Sequence, residues 1–147
     1  MELLTTQTNV VELIQLSLAP VFLIVGIGQM LNAVTGRLAR VIDRARWYEN
    51  RNSDKSIKLT EQECDEMRAL KRRMKYANWA ITFLTGSAVI ICLDVSLLLL
   101  NGLIAISLDT VILSLFMLSL ASLTAGLICF FMEVSIATAS LKMIDFD

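Results

Sequence analysis

The chain has 147 residues, 56% of them hydrophobic, and a mean hydropathy of +0.66, an apolar share above that of ordinary globular domains. It contains no histidine, which removes the commonest general base and transition-metal ligand from consideration. The formal net charge of -1 hides a strong sorting, because twelve of the thirteen Lys and Arg residues lie within residues 36–75.

Three apolar runs, about 13–35, 77–100 and 110–132, are each long enough to cross a hydrocarbon core of about 30 Å, which takes roughly 20 helical residues. Lipid offers the backbone no hydrogen-bond partners, and the runs are too long and too Leu-rich for barrel strands. The predicted fold class is an all-α integral membrane protein, a single membrane domain over 1–147. Its three transmembrane helices carry a long cytoplasmic helical hairpin, about 36–76, between the first and second. The opening residues carry Glu2 and no base, unlike a signal peptide, so the first span is expected to be retained. The thirteenth base, Lys142, follows the third span, so all the bases fall on one side. That side is expected to be cytoplasmic, with the N-terminus outside and the C-terminus inside. Cys64, Cys92 and Cys129 share no oxidising compartment, and no disulfide is expected.

Along the chain, Asn9 followed by Glu12 has the spacing of a helix start, for a helix running to about Tyr48. Pro20 falls inside it and predicts a bend, and Gly26 and Gly28 offer a smooth surface to another helix. Beyond them Ile27, Leu31, Val34, Leu38, Val41, Ile42 and Ala45 form one stripe. Gln29, Asn32, Gly36, Arg40 and Asp43 form the opposite one, which begins inside the membrane, where amides need partners or water. Between Glu49 and Leu59 the polar run Asn50, Arg51, Asn52, Ser53 and Asp54 reads as the turn of the hairpin tip. Thr60 with Glu63 matches a capping box, and Met67, Leu70, Met74 and Ala77 form a seam that fits the Val34 to Ala45 stripe.

In the second span Asp94 lies roughly 22 Å from Trp79 at 1.5 Å per residue, with every base on the far side of the membrane. Asp109 is placed to cap the third span. There Ser119, Ser122, Gly126, Cys129, Glu133, Ala137 and Ser140 share a small-residue packing face. At the cytoplasmic boundary a polar knot is predicted from Asn32, Arg37 or Arg40, Asn78 and Glu133.

The run SLAPVFLIVGIGQMLNAVTGRLARVIDRAR, ending at Arg46, resembles a family of small three-span bacterial membrane proteins catalogued only as domain of unknown function number 2721. The likeness covers nearly the whole chain. It implies a bacterial cytoplasmic (inner) membrane and transfers no activity.

Gly26, Gly28 and Leu31 give only half of a dinucleotide-binding pattern, with no strand before them. No converging acid, base and cavity can be assembled, so neither an enzyme nor a cofactor or metal is expected. Seven acids interrupt the basic hairpin, which argues for salt bridges within a helix pair over nucleic-acid binding. The expected partners are membrane lipids, further copies of the chain and a possible cytoplasmic protein at the hairpin. Two functions fit: a homo-oligomeric, cation-favouring pore lined by Gln29, Asn32, Gly36 and Arg40 with Asp94 as its intramembrane acid, or a membrane scaffold whose hairpin docks a partner.

Overall fold

The computed structural model describes residues 2–53, 60–103 and 108–141 and is all-α. Its helices are α1 (Glu2–Ser53), α2 (Glu61–Leu103) and α3 (Asp109–Leu141), each long and apolar enough to cross a membrane. The exposure of large side chains such as Phe22 and Phe131 fits lipid as the surrounding solvent. Helix α2 is central: α1 packs along one side and α3 along the other, while α1 and α3 touch each other only slightly.

The periodicity explains this order. Ile27, Val34, Val41 and Tyr48 recur every seven residues on α1 and are all buried. On α2 the buried positions Ala77, Ala80, Leu84, Ser87, Ile91 and Asp94 alternate spacings of three and four, the signature of a helix with one continuous packing seam. The stripe read from the sequence meets its expected partners: Val41 and Tyr48 pack with Leu70, flanked by Met67 and Met74. Deeper in, Ile27 and Val34 join Ala77, Ala80, Leu84 and Ile91.

Small residues bring α2 and α3 together, as expected of the Ser119 to Glu133 face. The Ser87 hydroxyl donates to the Ser119 carbonyl at 3.1 Å, and the Ser122 hydroxyl donates to that of Phe83 at 3.0 Å. A Cβ at Gly126 would lie 3.1–3.3 Å from the Leu84 side chain and backbone nitrogen, tighter than ordinary contact. Gly126→Val is therefore expected to lower the unfolding free energy by about 1–3 kcal/mol, read by denaturant titration in micelles, because the Leu84 backbone cannot move aside.

Two boundaries differ from the sequence reading. Helix α1 begins at Glu2 rather than at Asn9, since no proline or glycine interrupts residues 2–12 and the Asn9–Glu12 spacing lies inside a continuing helix. It also continues through Asn50, Arg51 and Asn52 to Ser53, where a turn was expected, and the Arg51 guanidinium stacks 5.2 Å from the Trp47 ring centroid one turn back. The remainder of the expected tip, Asp54 to Leu59, lies outside the described residues. At the restart of α2 the Glu63 carboxylate accepts the Thr60 backbone N–H at 2.9 Å, one half of the expected capping box.

Candidate functional site

The three helices meet through charge at one level. Glu133 of α3 is buried, and its Oε1 accepts two hydrogen bonds from Arg73 of α2, from Nε at 3.1 Å and Nη2 at 2.9 Å. Its Oε2 lies 3.3 Å from Arg37 Nε of α1, an ion-pair contact without hydrogen-bond geometry. The Arg37 guanidinium also sits 5.8 Å from the Phe130 ring centroid. One carboxylate thus holds two guanidinium groups, and the cluster keeps a surplus positive charge.

Of the knot expected from the sequence, the structure brings together Arg37 and Glu133. Asn32, Arg40 and Asn78 lie outside it with exposed side chains. Asn78 follows Ala77, the seam position, and so turns away, while its carbonyl accepts the Thr82 hydroxyl at 2.9 Å. The residue sequence reasoning missed is Arg73. It stands four positions before Ala77, so extending the α2 seam by one turn points to it.

Gln29, Asn32, Gly36 and Arg40 share one exposed face of α1, directed away from α2. Among the described residues nothing lies within 4 Å of a Cβ built at Gly26, Gly28 or Gly36, so none of these glycines serves close packing inside one copy. Between them the Thr35 hydroxyl makes only local contacts, donating to the carbonyls of Leu31 at 2.8 Å and Asn32 at 3.1 Å.

Asp94 occupies the α2 seam itself. It is 5% exposed, and its Oδ1 has no hydrogen-bond partner among the described residues. Three other polar residues of that seam, Arg73, Ser87 and Asn101, reach partners on or just before α3. The register set by Arg73 with Glu133 and Ser87 with Ser119 brings apolar Ile112 to the level of Asp94. Asp94 and the amide stripe therefore occupy different faces of the bundle, one inside it and one outside.

At the far end Asn101 closes the turn into α3. Its Nδ2 donates to Asp109 Oδ1 at 3.0 Å and its Oδ1 accepts the Leu108 N–H at 3.2 Å. Asp109, expected as a simple cap, is thus engaged by a side chain from the preceding helix. In the hairpin the Tyr48 hydroxyl donates to Glu66, which Arg44 approaches at 3.6 Å, and Arg68 pairs with Asp65 at 2.9 Å. The three cysteines are free, and no cluster of His, Cys, Asp or Glu fit to hold a metal occurs among the described residues.

Three long apolar helices, joined by a buried ionic clasp and by small-residue packing, define a multi-pass membrane protein of three helices. The model of the family described as "Protein of unknown function (DUF2721)" matches residues 17–143, and the chain belongs to that family. No curated protein and no solved structure matches it.

Proposed function

We propose that the protein works as a homo-oligomeric, cation-favouring pore of the bacterial inner membrane, built around α1, with the hairpin and C-terminus in the cytoplasm. The observation that carries this reading is the exposed stripe of Gln29, Asn32, Gly36 and Arg40. Lipid cannot satisfy the two amides, and a neighbouring copy or water can. The open surface at Gly28 and Gly36 lets another helix approach closely. Arg40 and Asp43, exposed three residues apart on that face, give it both signs of charge next to each other. Exposed Glu12 and Asp109 near the opposite ends of the spans, with no base beside them, favour cations there. Asp94 lies inside each bundle and does not line such a lumen.

Oligomeric state in mild detergent, together with cation flux in liposomes, tests the reading. Asn32→Ala is expected to weaken self-association about tenfold, the loss of one interhelical amide contact, and to lower the flux. A monomeric protein, or flux indifferent to Asn32→Ala and Gln29→Leu, overturns it. The scaffold reading draws on Trp47, 52% exposed on the hairpin and stacked by Arg51. An aromatic anchor of that kind suits a protein partner. A monomer without flux that loses a cytoplasmic partner on Trp47→Ala favours this second reading over the pore.

A further inference from the structure

We propose that Arg37 is the headgroup site for an anionic phospholipid, whose phosphate it binds while an acyl chain lies between α1 and α3. The site is distinct from the amide stripe, and it does not require the pore reading.

The charge balance comes first. Glu133 neutralises one of the two guanidinium groups that contact it, and Arg73 takes the better share through two hydrogen bonds to Oε1. The Arg73 side chain is 19% exposed and that of Arg37 is 34% exposed, so the surplus charge emerges at Arg37. Arg37 meets the carboxylate through the 3.3 Å Nε–Oε2 contact, without hydrogen-bond geometry, and its guanidinium makes no hydrogen bond to another described residue. A guanidinium carries its donors in a planar fork that matches two phosphate oxygens, and the donors of Arg37 are left to meet them.

The surface beneath Arg37 distinguishes a lipid from a free anion. Because α2 separates them, α1 and α3 have little direct contact, which leaves exposed apolar residues of both helices on the membrane side of Arg37. The α1 side presents Met30 and Gly26, one two turns and the other three turns from Arg37. The α3 side presents Phe130 and Leu127. Among the described residues nothing lies within 4 Å of a Cβ built at Gly26. Inorganic phosphate gains nothing from such a surface, whereas a phospholipid covers it with hydrocarbon while its phosphate meets the guanidinium. Exposed bases of the hairpin, such as Lys71, Arg72 and Lys75, attract anionic lipid in general without fixing one molecule.

The test is native mass spectrometry of the full-length protein in neutral detergent, titrated with phosphatidylglycerol and with phosphatidylcholine of the same acyl chains. The expected result is a preference for phosphatidylglycerol of about fivefold that Arg37→Gln abolishes and Arg72→Gln preserves. Gly26→Phe, which occupies this surface and leaves the clasp intact, is expected to reduce the binding of both lipids and keeps the test decisive if Arg37→Gln does not fold. Retention of the preference by folded Arg37→Gln, or unchanged lipid binding by Gly26→Phe, overturns the proposal. Displacement of phosphatidylglycerol by millimolar inorganic phosphate also overturns it, in favour of a free-phosphate site.

Discussion

Glu133→Ala is expected to lower the unfolding free energy of the protein by about 3–5 kcal/mol, the largest effect of any single substitution considered for this fold. Glu133 is 2% exposed and is the only acceptor of Arg73 among the described residues. Its removal leaves the Arg73 guanidinium mostly buried without a counter-ion, and desolvation of an unpaired charge costs more than the pair contributes when intact. Arg37 suffers less, since it is one-third exposed and can turn toward headgroups and water. The double variant Glu133→Leu with Arg73→Leu, which removes both deeply buried charges, is accordingly expected to recover most of the loss. Denaturant titrations followed by circular dichroism in one detergent check both variants. Equal destabilisation of the double variant and Glu133→Ala would show that packing at this level, and not charge, sets the cost.

Asp94→Val is expected to act in the opposite direction and to stabilise the protein by about 1–3 kcal/mol, the penalty of a buried polar group left without a partner. Asp94 occupies the same seam as Ile91 and Leu84, and its Oδ1 has no hydrogen-bond partner among the described residues. A side chain of similar size that makes no polar demand suits that position better. Asn at the same place keeps the unmet polar demand and should bring no gain. A loss of stability in Asp94→Val would mean that the carboxyl is satisfied in the membrane by water, a cation or another copy. A gain joined to loss of flux would mark Asp94 as a residue kept for activity at the expense of the fold.

The three helices were legible because each apolar run exceeds what a bilayer crossing requires, and the α1 stripe was legible because Ile27, Val34 and Val41 repeat at helical spacing. The meeting of that stripe with Leu70, Met67 and Met74 followed from the matching period on the second helix. Arg73 was not legible in the same way. With Lys71, Arg72 and Lys75 it makes four bases whose composition says nothing about which one turns inward. Only the α2 seam, with its alternating spacing, separates it from its neighbours. Asp94 was visible as a lone intramembrane acid, but its direction was not, because the apolar residues of a spanning helix surround every face alike. The ends of α1 were misjudged for a related reason: polar residues at helix spacing on an exposed surface are as compatible with more helix as with a turn.

The clasp at Glu133 also has a mechanical meaning. Helix α1 runs without a break to Ser53, sixteen residues beyond Arg37, an arm of about 24 Å at 1.5 Å per residue. Because Val41 and Tyr48 of that arm pack on Leu70 of α2, the two helices tilt as one stiff pair and not as separate rods. A tilt of about 10°, well within the range that bilayer thickness imposes on spanning helices, carries the end of that arm sideways by about 4 Å. A change in membrane thickness that tilts this pair is therefore expected to shift the hairpin as a unit.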